Sequence, residues 1–157
     1  MSEDQKGAKS VIQQYFFDID GVEIIILKSH LFIESMITNY IARHNKSEKD
    51  INKMRFAFMT KVKIAEVLGL FVDQPNLKTY VLNLNKIRNQ IAHTNEHDQA
   101  VLHSLIDFPR SFETQEEITD EAEFIQETLK IKSAFMGGFI SGAGHPDLDS
   151  AEIPSTE

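Results

Sequence analysis

Apolar residues recur along this chain at intervals of three and four positions, which is the spacing of one face of an α-helix. The first such region extends from about residue 18 to 44 and carries two apolar series. The first series consists of Ile24, Leu27 and Leu31, and the second of Ile26, Ile33, Ile37 and Ile41. A helix that is apolar around most of its circumference lies at the centre of a bundle. The pattern therefore predicts a buried core helix.

Two more helices are predicted from the same spacing and from their end signals. Ser47 or Asp50 can cap a second helix that continues to about Phe71. Asp73 and Pro75 mark the start of a third helix, because proline is favoured at the first helical position. The apolar stripe of this third helix consists of Leu77, Tyr80, Leu84, Ile87 and Ile91.

The later part of the chain contains one clear helix and one ambiguous segment. Thr114 and Glu117 match a capping box, which predicts a last helix through Phe139. Residues 97–112 fit either a short helix or an extended segment, and no alternating pattern of useful length predicts a strand elsewhere. The sequence therefore predicts an all-α protein, a bundle of four to five helical elements with short connections.

The two ends of the chain are polar and poor in apolar residues. We expect residues 1–10 to be a disordered N-terminus and residues 143–157 a disordered acidic tail, on either side of one helical domain at 11–142. The chain has no cysteine, which excludes disulfides and thiolate metal sites. The first ten residues lack an apolar signal core, and polar residues interrupt the apolar run of the core helix. We therefore expect a cytoplasmic protein without membrane contact.

Charge is distributed unevenly along the chain. The net charge of −8 argues against nucleic acid as a partner of the chain as a whole. Residues 43–88, however, hold ten Lys or Arg and four Asp or Glu, whereas residues 96–127 hold one Arg and ten acidic residues. Solvated helix faces, a charge-complementary dimer and a phosphate-binding surface all account for this pattern. If RNA binds, the expected contacts with its backbone are Lys53, Arg55, Lys61, Lys63 and Lys86.

The stretch LNKIRNQIAHT, near the end of the third helix, combines Arg88, Asn89 and His93. The guanidinium of arginine matches the geometry of a phosphate, and histidine transfers protons near neutral pH, so these residues suit metal-free RNA cleavage. On an ideal helix Arg88 and His93 differ by about 140° and do not share a face. A long arginine that reaches around the helix, a helix end that opens after Ala92, or a two-fold axis between two copies would bring them together. In the structural alternative Arg88 pairs with an acid, and the other two cap backbone carbonyls.

A second polar line lies on the core helix, where His30 and Glu34 are one turn apart. Glu34 could pair with Arg88 or orient His93, and Asn85 lies on the same polar line of the third helix as His93. In the structural alternative, His30 and Glu34 lie at a partly exposed edge of the bundle. We regard His30, Glu34 and Asn85 as secondary site residues.

Residues 93–97, HTNEH, match a zinc-binding pattern of two histidines and a glutamate. Two histidines four positions apart can bind one metal ion from a helix face, but no third ligand can be assigned here. We therefore expect no metal and no cofactor.

The RNQIAH sequence resembles the R-N-x-x-x-H signature of the HEPN superfamily. The order of HLFIE, FAFMTKVKIAEVLGLF and LNKIRNQIAH is also similar to that of a HEPN-like branch close to the mannitol-operon repressor family. The resemblance covers about residues 22–95. It implies an antiparallel helical bundle that forms a homodimer, with the motif near the interface.

The same resemblance implies a metal-independent endoribonuclease of the toxin–antitoxin or antiphage type, with RNA and a protein antitoxin or regulator as partners. Arg88 would stabilise the scissile phosphate, His93 would act as base or acid, and Asn89 would position one of them. Asn95 stands where one HEPN toxin group has a tyrosine that its antitoxin modifies, which argues against that regulation here. The alternative is a non-catalytic regulator or protein-interaction module, as in the mannitol-repressor-like branch.

Overall fold

The computed structural model describes residues 10, 12–16, 18–47, 50–94, 98–107 and 120–143, and five α-helices of eight or more residues lie within these ranges. They are α1 (Val22–His44), α2 (Phe58–Val67), α3 (Pro75–Thr94), α4 (Gln99–Ile106) and α5 (Glu121–Gly142). A helical turn at 12–15 precedes α1, and a 3₁₀ turn, Ile51–Lys53, precedes α2. None of these residues forms a β-strand, which confirms the predicted all-α class. The predicted disordered ends lie almost entirely outside the described residues.

α1 begins a few residues later than the apolar pattern predicts. The backbone is left-handed at Asp18 (φ 56°) and at Gly21 (φ 95°), and glycine adopts this conformation without steric cost. The Gly21 carbonyl accepts the first hydrogen bond of α1 from the Ile25 N–H (3.0 Å). The Gly21 N–H donates to Gln126 Oε1 on α5 (3.0 Å). Gly21 therefore starts α1 and fastens it to α5.

The second helix is shorter than predicted, since α2 begins at Phe58 and not near Ser47 or Asp50. The Asn45 side chain accepts a hydrogen bond from the Ser47 N–H (3.0 Å). Such a local bond from an asparagine side chain favours a turn over a helix. The connection after α1 is consequently a turn followed by the 3₁₀ segment.

This connection returns the chain along α1, so that α2 runs in the same direction as α1. The ring centroids of His30 and Phe58, near the start of α2, are 4.2 Å apart. Near the other end, the Tyr40 hydroxyl donates to the Leu68 carbonyl (2.9 Å). α2 and α3 are in contrast antiparallel, because Lys78 near the start of α3 pairs with Glu66 near the end of α2.

α1 and α5 are also parallel, so the antiparallel arrangement that the resemblance implies does not hold for these two neighbouring helices. Gly21 contacts Gln126 at the beginning of both helices, and Phe32 packs on Gly137 further along. At the far end, Arg43 donates to carbonyl oxygens in the last turn of α5 (2.6–3.4 Å). Because α2, α3 and α4 lie between α1 and α5 in the chain, the chain can return to the beginning of α1 before α5 begins. Arg43 satisfies carbonyls that have no partner inside their own helix.

The ambiguous segment at 97–112 contains the short helix α4. Its N-terminus is capped by Asp98, whose carboxylate accepts from the Ala100 N–H (2.9 Å). α4 is antiparallel to α3, with the Asn83 amide donating to the Ser104 hydroxyl (2.9 Å).

α5 begins after Asp120, whose carboxylate accepts from the Ala122 N–H (3.0 Å). Asp120 therefore provides the N-cap of the last helix. The predicted capping box at Thr114 and Glu117 lies outside the described residues.

The two apolar series of α1 have different surroundings. The residues of the second series are buried, as predicted; they are Ile26, Ile33, Ile37 and Ile41. The residues of the first series are exposed, and Leu31 retains 61% of its surface; they are Ile24, Leu27 and Leu31. In the described part of the chain α2, α3 and α5 pack against α1 and leave this stripe uncovered. α1 is thus a core helix with one apolar face toward the outside.

By length and composition alone α1 could cross a membrane. Half of its most apolar window is buried within the fold. Its buried face also carries Ser29 and His30, which have protein partners.

The closest approach of α1 and α5 generates a stability prediction. A Cβ atom at Gly137 would overlap the Phe32 ring, whereas one at Gly138 would meet no atom within 4 Å. The Phe32 ring cannot easily move, because the rings of Tyr15 and Phe16 lie against it, at 4.8 and 6.2 Å between centroids. We expect Gly137→Ala to lower the free energy of unfolding by about 1–3 kcal/mol, the usual cost of overpacking.

Gly138→Ala is the matched control and should be neutral or raise the free energy of unfolding by up to about 1 kcal/mol, because alanine favours a helix. Chemical denaturation of both variants measures these changes. Equal effects of the two substitutions would show that the helices do not approach each other at Gly137.

Candidate functional site

The buried side of α1 carries polar residues that need partners from other helices. Ser29 is 1% exposed and His30 is 4% exposed. The Ser133 hydroxyl on α5 donates to Ser29 Oγ (2.7 Å) and is hydrogen-bonded to the Tyr80 hydroxyl on α3 (2.8 Å). This network connects α1, α3 and α5 inside the core. The adjacent His30 extends the polar line toward the third helix.

His30 is enclosed by α1, α2 and α3. Its Nε2–H donates to Asn85 Oδ1 on α3 (3.1 Å), which fixes the neutral imidazole in the tautomer with the proton on Nε2. The Phe58 ring on α2 covers it, with 4.2 Å between the centroids. These contacts bring together the two secondary site residues His30 and Asn85.

The surroundings of His30 favour its neutral form. Burial is the largest cause and lowers the pKa of His30 below its ordinary value of 6.5. The hydrogen bond with Asn85 and the charge of Glu34 raise the pKa, whereas the positive charges of Arg88 and Lys61 lower it further. The imidazole therefore lies within the electrostatic reach of one carboxylate and two cations.

Glu34, the third secondary site residue, pairs with a lysine and not with Arg88. Lys61 Nζ on α2 donates to Glu34 Oε1 at 2.7 Å. The lysine side chain is only 15% exposed, so this ion pair is partly shielded from solvent. Lys61 was predicted to contact RNA, but here its ammonium group is directed at this carboxylate.

Arg88 is half-buried on α3, one turn after Asn85. Its guanidinium donates to the Asn89 side-chain oxygen (3.1 Å). No carboxylate among the described residues lies within ion-pair distance of it, so the predicted structural alternative, pairing with an acid, is not realised there. A partly desolvated guanidinium without a carboxylate is a favourable position for an external anion, because its planar donors match the oxygens of a phosphate.

His93 is exposed near the end of α3. It follows Arg88 by five positions of regular α-helix, which corresponds to about 7.5 Å along the axis and about 140° around it. α3 is helical through Thr94, so the helix does not open between the two residues. One copy of α3 thus presents the guanidinium and the imidazole on different sides.

The other predicted contacts with an RNA backbone are exposed cations. They are Lys53, Arg55, Lys63 and Lys86. Two of them lie 3.7 and 3.8 Å from exposed carboxylates, and such solvent-screened pairs are weak. These four side chains are therefore accessible to a polyanion.

Metal binding finds no support in the described residues, where no three His, Cys, Asp or Glu side chains form a group that could hold a metal ion. Glu96 and His97, the remaining residues of the possible zinc pattern, lie outside the described part of the chain.

Comparison of the chain with known protein families, with curated proteins and with solved structures finds no match. The class that the structure defines is an all-α bundle. Among the described residues, its α3 helix carries an arginine without a carboxylate partner one turn after the asparagine that binds a buried histidine.

Sequence reasoning did not identify Phe58 as a site residue or Lys61 as the partner of Glu34. The only signal for Phe58 was its place in an apolar series, which also describes an ordinary core residue. The partner of Glu34 could not be read from the sequence because it lies on a helix whose direction the sequence does not determine.

The environment of His30 predicts a specific pH dependence of stability. Its pKa is lower in the folded protein than in the unfolded chain, so below about pH 6.5 the unfolded chain binds the proton more readily. The contribution of neutral His30 is complete above this pH and is lost as the pH falls. We expect His30→Gln to reduce stability at pH 7.5, and the difference from the wild type to narrow toward pH 5.

Urea denaturation at several pH values measures this effect. His103→Gln is the matched control, because His103 is an exposed histidine on α4 and should leave the pH slope of the wild type unchanged. An identical slope in the wild type and in His30→Gln would mean that His30 is not held neutral by the fold.

Proposed function

We propose that this chain is a metal-independent endoribonuclease of the HEPN type, which cleaves RNA phosphodiesters in the manner of toxin or antiphage nucleases. The observation that carries the proposal is the half-buried Arg88 guanidinium without a carboxylate partner among the described residues. It stands in an R-N-x-x-x-H sequence on an amphipathic helix, and the histidine of that sequence is exposed. Arginine and histidine are the residues that phosphodiester cleavage without a metal requires.

The reaction follows from the chemistry of these groups. A neutral imidazole accepts the proton of the ribose 2′-hydroxyl, and the 2′-oxygen attacks the adjacent phosphorus. Arg88 stabilises the additional negative charge on the five-coordinate phosphorus, and Asn89 holds the guanidinium through the hydrogen bond at 3.1 Å. The bond to the 5′-oxygen breaks, and an imidazolium gives that oxygen a proton. The products are a 2′,3′-cyclic phosphate and a 5′-hydroxyl.

A homodimer would allow Arg88 and His93 to reach the same phosphate. Because Arg88 and His93 of one helix point about 140° apart, they reach the same phosphate most directly when they come from two copies of α3. A two-fold axis near the end of α3 would place Arg88 of each copy opposite His93 of the other and would generate two equivalent sites.

Exposed cations would bind the rest of the RNA strand. Lys86 is on α3 with Arg88, and Lys63 is on α2. Lys53 and Arg55 precede α2. Each contact with a backbone phosphate releases counterions and makes binding sensitive to salt.

Purified protein should cleave single-stranded RNA in the presence of EDTA and leave cyclic phosphate or 3′-phosphate ends. His93→Ala should lower the cleavage rate by at least about 100-fold, the usual contribution of a general acid or base. Gel analysis of labelled RNA measures the rate, and thermal melting checks that the variant is folded. His103→Ala should retain full activity as the matched exposed-histidine control.

RNA that stays intact at high concentrations of folded wild-type protein would contradict the proposal. The same bundle would then be better explained as a non-catalytic regulator, because its polar residues on α1 are satisfied by partners within the fold.

The shared site makes a separate prediction about mixtures of inactive variants. Arg88→Ala and His93→Ala should each be inactive, but a mixed dimer contains one site with both residues intact. Random exchange at equal concentrations should restore about a quarter of the wild-type activity, since half of the dimers are mixed and each has one working site. Activity that stays at the level of the separate variants, with subunit exchange verified, would exclude a site shared between two copies.

A further inference from the structure

His30 is a buried histidine on which the charge of Arg88 acts. It is enclosed by α1, by the Phe58 ring on α2 and by the Asn85 amide on α3. Asn85 and Arg88 are three residues apart and lie on the same side of α3. The hydrogen bond from His30 to Asn85 therefore fixes the turn of α3 that presents the guanidinium.

Three charged side chains act on the imidazole, one from each surrounding helix. They are Glu34 on α1, Lys61 on α2 and Arg88 on α3. Glu34 and Lys61 neutralise each other at a distance of 2.7 Å. Burial is the largest factor that opposes a proton on His30, and the positive charge of Arg88, which has no ion-pair partner among the described residues, adds to it.

We infer that His30 is a second histidine of the phosphate site, which positions Arg88 through Asn85 and takes up a proton when a phosphodiester occupies the guanidinium. The inference rests on the proposed function only in requiring that a phosphodiester binds at Arg88. A bound phosphodiester cancels the positive charge that opposes protonation of His30. By linkage, protonated His30 must then strengthen the binding of the phosphodiester by the same factor.

The probe that tests this inference is a single-stranded DNA oligonucleotide. DNA lacks the 2′-hydroxyl and cannot undergo the proposed cleavage, and its phosphodiester charge is constant between pH 5.5 and 7.5. Fluorescence anisotropy at fixed ionic strength should show binding at least about fivefold tighter at pH 5.5 than at pH 7.5, the lower range of coupling between two sites. Arg88→Ala should weaken binding and remove this pH dependence.

Two histidine variants assign the effect to one imidazole. His30→Gln should bind the oligonucleotide with little pH dependence, because glutamine can still donate to Asn85 but does not titrate. His103→Gln, which removes an exposed histidine on α4 outside the motif, should retain the pH dependence. Persistence of the full dependence in His30→Gln, or its loss in His103→Gln, would overturn the inference.

A measurement on the unmodified protein avoids any loss of folding in the variants. In an NMR titration of the histidine ring signals, the pKa of His30 should rise when the oligonucleotide is added. An unchanged pKa with the site saturated would overturn the inference. If RNA is not cleaved but oligonucleotide binding and protonation of His30 are coupled, the proposed nuclease activity is wrong and the inference about His30 stands. If RNA is cleaved and the two are not coupled, only the inference about His30 is wrong.

Discussion

The need to satisfy polar side chains on the buried face of α1 determines how the neighbouring helices pack. Ser29, His30 and Glu34 lie within two turns of this helix, and their partners come from α5, α3 and α2 respectively. A buried polar group without a partner costs about 1–3 kcal/mol, a large part of the stability of a small domain. No buried side-chain nitrogen or oxygen in the described part of the chain lacks a partner. Apolar contacts bring the helices together, and these polar contacts fix their register.

These hydrogen bonds and the Glu34–Lys61 ion pair leave Arg88 as the group available to bind a ligand. Glu34 is occupied by Lys61, and Asn85 is occupied by His30. Arg88 therefore remains half-buried beside them with an amide as its hydrogen-bond partner. A guanidinium in this position is partly desolvated, is held by a hydrogen bond and has no ion-pair partner among the described residues. These properties favour binding of a phosphate at the end of the bundle where α3 presents the motif.

The sequence predicted the helical class and the α3 stripe because both depend on local periodicity. It also identified His30, Glu34, Asn85 and Arg88 as polar positions of interest. The sequence did not predict the hydrogen-bond or ion-pair partners of these residues, nor that α1 is parallel to α2 and α5. A periodic pattern determines which face of a helix is buried but not which helix packs against it. The late start of α1 depends on left-handed backbone at residues 18 and 21, which apolar spacing does not report.

A crystal structure of the protein with an uncleavable oligonucleotide, such as 2′-O-methyl RNA, is the most direct test of Arg88 as the phosphate-binding group. We predict a phosphate oxygen within hydrogen-bond distance of the Arg88 guanidinium, about 2.7–3.2 Å, with His93 of a second copy on the other side of the phosphorus. Arg88 paired with a protein carboxylate in the complex, with the oligonucleotide bound elsewhere, would contradict the account.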